Sequence, residues 1–269
     1  MAFVAWSLAS GSSGNCIWAE GENSALVIDA GLSASALLER LAILRRDPHK
    51  LKAVLLTHEH TDHASGAVPI ARRFKVPILG TPGTLAAVLT DSPFVESEAY
   101  PPGSSFQVGE FWITSFRTEH DAADPVGYVL NLNGAKLCVV TDTGRVTPTI
   151  RQAMRGCQLV ILEANHDVAR LVRGPYPPPL KARILSDSGH LSNDDAAAEV
   201  AMLSRGDVPV CVWLAHLSAV NNTPRLAMRS VQYALRSARP DNVRISVAQR
   251  DRISAYWNSK HNWWQTRLF

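Results

Sequence analysis

Six consecutive residues, His58-Glu59-His60-Thr61-Asp62-His63, carry three imidazoles and a carboxylate directly after the apolar run Ala53-Val54-Leu55-Leu56-Thr57. Neutral imidazole nitrogen and carboxylate oxygen are ligands for zinc, manganese or iron(II). Histidines that merely fill a core usually occur alone. The cluster therefore points to half of a two-metal hydrolytic site. Further candidates stand just after apolar runs, where strand ends would present them to one cleft. They are Asp29 after Ala25-Leu26-Val27-Ile28, His120 shortly after the run 111–116, Asp142 after 137–141, and His216 after 211–215. Asp121 and Asp124 lie beside His120, and either can replace it as a ligand.

The elements that must position these residues are legible as periodicity. Strands are expected over 3–8, 16–19, 25–28, 53–56 and 76–79 in the first half. In the second half they are expected over 111–116, 126–132, 136–140, 159–162, 210–214 and 243–247. Asn133-Gly134 reads as a hairpin turn. Helical spacing covers 34–46, 65–74, 193–204 and 224–237, the third announced by the capping sequence Ser192-Asn193-Asp194-Asp195. Two strand-rich halves with helices outside them predict an α/β fold, a four-layer αββα sandwich, with residues 1–269 as a single domain. The stretch Gly174-Pro175-Tyr176-Pro177-Pro178-Pro179 reads as an ordered loop, and the tail from Trp257 to Phe269, with Trp263-Trp264, is expected to pack on the body.

Composition bounds the reading. Hydrophobic residues at 46% and charged residues at 19% describe an ordinary globular chain, and the net charge of +3 decides no partner. Arginine outnumbers lysine, which favours an anionic substrate. Cys16, Cys138, Cys157 and Cys211 are scattered and read as buried thiols of a reducing compartment. With no basic leader and no run of eighteen apolar residues, neither signal peptide nor membrane span is expected, and the cytoplasm is the expected location.

The HxHxDH pattern of His58, His60, Asp62 and His63 resembles the signature of the metallo-β-lactamase superfamily, and the resemblance covers essentially the whole chain. It implies that His58, His60 and His120 hold one metal, that Asp62, His63 and His216 hold the other, and that Asp142 bridges them. Two divalent ions, zinc or manganese, about 3.5–4 Å apart would then share a hydroxide. Asp29 would accept a proton from a ligand imidazole and fix its tautomer.

Two later segments narrow the substrate. The stretches Ile161-Leu162-Glu163-Ala164-Asn165-His166-Asp167 and Gly189-His190-Leu191-Ser192-Asn193 resemble the glutamate and late-histidine segments of ribonuclease Z-like phosphodiesterases. By that resemblance His190 meets the scissile phosphate and protonates the leaving oxygen, and Glu163 orients it and raises its pKa. A place at a helix start would add backbone N–H groups for an anion. The stretch Ser7-Leu8-Ala9-Ser10-Gly11-Ser12-Ser13-Gly14-Asn15, with Pro125-Val126-Gly127-Tyr128 and the segment from Tyr176 to Asn193, resembles the YycJ (WalJ) branch, which is associated with DNA exonuclease activity. Ser12, Ser13, Asn15, Ser192 and Asn193 are accordingly expected at the substrate. Arg72-Arg73-Lys75, Arg170 with Arg173, and Lys181 with Arg183 are further candidate phosphate contacts.

The interval from Asp142 to His216 is too short to house a separate nucleic-acid clamp of ordinary domain size. The expected function is a binuclear metal-dependent phosphodiesterase, a 5′-to-3′ DNA exonuclease using a metal-bridging hydroxide that Asp62 helps orient. One alternative is a hydrolase of a thioester, lactone or cyclic phosphodiester. Another is a non-catalytic metal-binding docking module, against which stands the retention of seven ligand residues.

Overall fold

An antiparallel meander opens the chain: β1 (Val4–Ala9), β2 (Cys16–Glu20) and β3 (Ala25–Ile28). The computed structural model describes residues 2–92, 94–238 and 240–260. After the meander come α1 (Ala34–Ile43), β4 (Leu51–Leu55), α2 (Thr61–Ala64), α3 (Ala67–Phe74), β5 (Ile78–Gly80), α4 (Pro82–Val88) and β6 (Ser97–Ala99). A second meander follows, with β7 (Ser105–Val108), β8 (Phe111–Arg117), β9 (Val126–Leu132) and β10 (Ala135–Val140), and then α5 (Pro148–Met154), β11 (Leu159–Glu163), α6 (Val168–Arg173) and α7 (Pro178–Ile184). The last elements are α8 (Asn193–Leu203), β12 (Val210–Ala215), α9 (Pro224–Ala234), β13 (Val243–Val247) and β14 (Ala255–Asn258).

Two seven-stranded sheets result, in the orders β14-β1-β2-β3-β4-β5-β6 and β13-β12-β11-β10-β9-β8-β7. In each, an antiparallel meander turns parallel at one strand, β3 in the first sheet and β10 in the second. Parallel strands present their carboxyl ends at one edge, which is where open α/β sheets place their sites. Side chains alternate between the faces of each strand, so Ile28, Leu55, Tyr128, Leu137, Ile161 and Trp213 fill the layer between the sheets. Val27 and Val54 face outward onto Leu37, Leu41 and Ile70, while Val140, Leu162 and Leu214 face Ile150, Val200 and Val231. Both faces of both sheets are covered, the αββα arrangement that the two strand-rich halves predicted. Fully burying each such side chain contributes about 1.5–3 kcal/mol.

The departures from the sequence reading have local causes. The helix expected over 34–46 stops at Ile43, because Arg45 takes a left-handed φ of 54°. The helix expected over 65–74 begins only at Ala67, as α3, and the separate turn α2 precedes it; between them Gly66 donates its N–H to Ala30 O and leaves no room for a side chain beside Leu32 O. The proline-rich stretch is only partly loop: Pro178 opens α7, its missing N–H costing nothing in a first turn. Short elements without strong periodicity, β6, β7 and α4 to α7, were not foreseen. Trp257 packs inside, 2% exposed and edge-on to Phe3, because β14 returns to pair with β1. The Trp263-Trp264 pair lies outside the described residues. Asn133 and Gly134, at φ 52° and 86°, form the expected β9–β10 hairpin turn.

Candidate metal centre

Each sheet contributes half of the cluster. His58 and His60 leave the end of β4 on a loop, and Asp62 and His63 sit on the single turn of α2. A side chain at Gly31 would collide with the Asp62 carbonyl, so glycine there lets α2 settle against the end of β3. From the second sheet come His120 beyond β8, Asp142 beyond β10, Glu163 at the end of β11 and His216 just past β12. Asp29, Asp142 and His216 hold left-handed backbones, φ 58°, 55° and 55°, a region that non-glycine residues rarely adopt.

Hydrogen bonds on the far sides of the rings fix which nitrogen faces the cluster. The Asp29 carboxylate accepts from His63 Nδ1 at 2.7 Å and from the Thr57 N–H at 2.9 Å. Thr57 Oγ1 donates to the same carboxylate and lies 3.0 Å from His58 Nδ1, and the Gly189 carbonyl accepts from His120 Nδ1 at 3.0 Å. Ring nitrogens and carboxylate oxygens are thereby gathered at one point: His120 Nε2 lies 3.3 Å from His60 Nδ1, and His63 Nε2 lies 3.1 Å from Asp142 Oδ2. His58 Nε2 and Asp142 Oδ2 are buried with no hydrogen-bond partner. Buried acceptors facing acceptors are costly in an apolar interior, and cations among them remove that cost.

Ligand-capable atoms of His58, His60 and His120 lie within 4.8 Å of one another, and so do those of Asp62, His63 and His216 and those of His58, His63 and Asp142. The donor set therefore fits metal ions. Its electrostatics draw positive charge. Burial depresses the His58 ring well below its ordinary value, leaving it neutral. Burial opposes protonation of His63 and His216 as well, but Asp142 overrides it in both; Asp29 helps at His63, and Asp62 and Glu163 at His216, which is pushed up to about 10. The same rings hold Asp142 ionised against its own burial.

Beside these groups stands a dyad. Glu163 is fully buried, and its Oε1 lies 2.8 Å from His190 Nδ1 and 2.9 Å from His216 Nδ1, while Oε2 accepts from Thr143 N. Burial would raise this carboxyl, but His190 leads the groups that bring it down to about 2. Burial would lower the His190 ring, but Glu163 raises it above the ordinary histidine value. The sequence reading tied Glu163 to His190 alone. The structure has it orienting His216 too, a role that strand-end spacing between β11 and β12 could have suggested. His190 is not at a helix start: α8 begins at Asn193, and the His190 N–H is spent on Ile184 O.

The expected substrate contacts separate into two groups. Ser12 and Ser13 are exposed on the β1–β2 loop. Asn15 is buried, and its Nδ2 lies 3.2 Å from Asp62 Oδ2 and 2.9 Å from His63 Nε2. Ser192 caps α8 through Asp195 N, and Asn193 is paired with Asn222 inside the protein. Asn15, Ser192 and Asn193 therefore support the site from within, since burial has committed their polar groups. His166 is 1% exposed, and its ring is without a hydrogen-bond partner. Among the basic candidates, Arg183 pairs with Asp121 beside His120, Lys181 and Arg170 donate to Val172 O and Val220 O, and Arg72 donates to Ser92 Oγ. Asp124 is engaged by Arg117 at 2.9 Å.

Two sheets that meet over histidine and aspartate at their strand ends define a metallo-β-lactamase fold, and the chain belongs to that superfamily: the family described as the beta-lactamase superfamily domain matches residues 25–211. Within it, the chain is 36% identical over 235 residues to exodeoxyribonuclease YycJ of Bacillus anthracis, covering 85% of this chain and 87% of that one. It is also 36% identical over 226 residues to exodeoxyribonuclease WalJ of Streptococcus pneumoniae, covering 82% and 83%. The metallo-β-lactamase fold protein YhfI of Bacillus subtilis superposes with a TM-score of 0.73 at 15% identity, covering 96% of this chain and 99% of that one, a likeness of fold. Among the described residues no helix is long and apolar enough to cross a membrane.

Proposed function

We propose that this chain is a binuclear metal-dependent phosphodiesterase that degrades DNA from the 5′ end. The observation that carries the reading is the Glu163–His190 pair set against the two ligand triads, and the printed activity of the YycJ and WalJ relatives supports it. His58, His60 and His120 would hold one cation, zinc or manganese, and Asp62, His63 and His216 would hold a second, with Asp142 within reach of His63 and His58 as a further ligand. When bound, the cations make water a nucleophile at neutral pH and offset the charge that builds on the phosphate.

The remaining steps belong to side chains. Glu163 holds the His190 ring by Nδ1 and favours its protonated form against the effect of burial, which makes an Nε2–H available for the cleft. As the attacking hydroxide oxygen bonds to phosphorus, the bond between phosphorus and the 3′-oxygen breaks, and its electron pair stays on that oxygen, which takes the His190 proton. Asn15 keeps the Asp62 carboxylate in place. The four thiols are buried and unpaired, which fits a reducing cytoplasm.

Replacing Asp62 and His63 together by Ala is expected to abolish degradation of end-labelled duplex DNA in Mn²⁺; undiminished activity refutes the assignment. His190→Ala is expected to slow turnover about 10²–10⁴-fold at unchanged metal content. Loss of metal instead would place His190 among the ligands.

A further inference from the structure

The β1–β2 loop is stitched to the centre at three points. Ser10 Oγ accepts from the His216 N–H at 2.8 Å, Ser10 N–H donates to Gln249 O at 2.9 Å, and Asn15 N–H donates to Asp62 O at 2.7 Å. The turn between them, Gly11-Ser12-Ser13-Gly14, is thus held beside Asp62, His63 and His216. Gly11 and Gly14 take φ of 148° and 154°, which frees the turn from the strand ladder. Its 14-to-11 backbone bond and the Gly11 N–H bond to Asn15 Oδ1 use two N–H groups. The N–H groups and hydroxyls of Ser12 and Ser13 have no hydrogen-bond partner among the described residues, so one short exposed turn carries four uncommitted donors.

Arg250, beyond the end of β13, lies along the same turn. Its Cγ is 3.2 Å from where a Gly11 side chain would begin, so glycine is what lets the arginine approach. Arg250 Nη2 reaches Leu217 O at a long 3.4 Å, and its Nε is buried without any acceptor. No carboxylate pairs with Arg250 among the described residues. Nη1 of Arg250 has no partner among the described residues, and a guanidinium without a counter-ion is suited to a phosphate oxygen.

We infer that the Ser12-Ser13 turn and Arg250 form an anion cradle for a second phosphate of the bound DNA strand, next to the one that is cut. The inference rests on the phosphodiesterase reading and adds a subsite to it. The phosphate is either internal or the 5′-terminal one, and both present anionic non-bridging oxygens.

The test is binding of a phosphorothioate-protected single strand to the zinc-loaded protein, followed by fluorescence anisotropy across a salt series. Arg250→Gln should weaken binding about ten-fold and flatten the dependence of log K on log salt by about 0.7, one phosphate contact on a single strand. Arg250→Lys should recover most of the slope. Ser12→Ala with Ser13→Ala, on an exposed turn, tests the cradle where Arg250→Gln lowers melting temperature or zinc content. A loss equal for 5′-phosphorylated and 5′-hydroxyl strands assigns an internal phosphate, and a loss confined to the former assigns the terminal one. Affinity and slope unchanged in all variants, with wild-type protein still binding and degrading DNA, overturn the cradle alone. Wild-type protein that neither binds nor degrades DNA overturns the phosphodiesterase reading and the cradle with it.

Discussion

Asp29→Asn separates the shape of a carboxylate from its chemistry. Asparagine keeps the volume and tolerates the left-handed φ of 58°. Its amide oxygen, in the place of Oδ1, still accepts from the Thr57 N–H and hydroxyl, each now at 2.9 Å. The amide nitrogen takes the place of Oδ2 and meets His63 Nδ1, now at 2.7 Å, where it can only donate. Nδ1 must then become the acceptor and the ring proton moves to Nε2, the atom 3.1 Å from Asp142 and 3.5 Å from Asp62. A protonated Nε2 cannot ligate. The expected loss is about 10–100-fold in affinity for the second metal, or about 1.4–2.8 kcal/mol, with the first site intact. Calorimetric titration of Zn²⁺ into chelator-stripped protein reads this as one unchanged and one weakened phase. Two sites filling with wild-type constants refute the tautomer argument. Asp29→Ala removes every bond and adds about 1 kcal/mol of left-handed strain, so it should melt lower than Asp29→Asn.

The dyad predicts a pH effect. Glu163 favours the protonated His190 ring while burial opposes it, so Glu163→Gln should lower the pKa of His190 and move the basic limb of the kcat profile to lower pH; an unmoved limb separates His190 from the leaving group. Because the folded-state pKa of His190 is raised, the stabilisation it gains is complete below about pH 6.5 and is lost as pH rises through the raised value. Thiol alkylation at pH 8 should follow acidity: Cys157, lowered by its hydrogen bond with Cys138, first, and Cys211 and Cys16, pushed by burial to about 11 and about 12, last. Mass spectrometry after iodoacetamide gives the order, and Cys138→Ala should remove the lead of Cys157. Tyr128→Phe, which strips a buried hydroxyl from Leu56 O just ahead of the histidine loop, should cost about 1–2 kcal/mol in urea unfolding; no loss would mean that water satisfies that carbonyl.

The strand ends were legible because strands covered on both faces read as apolar runs, and a polar residue that ends such a run stands out. Asp29, Asp142 and His216 stand out this way, and His58, His60, Asp62 and His63 stand out by density. Gly189 O orienting His120 was not legible, because it depends on how two segments distant in sequence dock, whereas Glu163 reaching His216 follows from the pairing of β11 with β12, which sets Glu163 beside Ala215. The burial of Asn15, Ser192 and Asn193 was not legible, because polar residues in a loop look exposed until the fold turns them inward. Arg250 gave no signal, since a lone arginine after a strand is common; only its placement against Gly11 distinguishes it.

The left-handed backbones at Asp29, Asp142 and His216 set folding comfort against chemistry. Each costs on the order of 1 kcal/mol that glycine would not, yet glycine there deletes a ring or carboxylate of the cluster. A search for thermostable variants that ignores turnover would therefore be drawn toward these three positions and would return robust, inert proteins. Selection for hydrolysis must hold them against that pull, and the surrounding apolar layers supply the surplus stability that makes this tolerable.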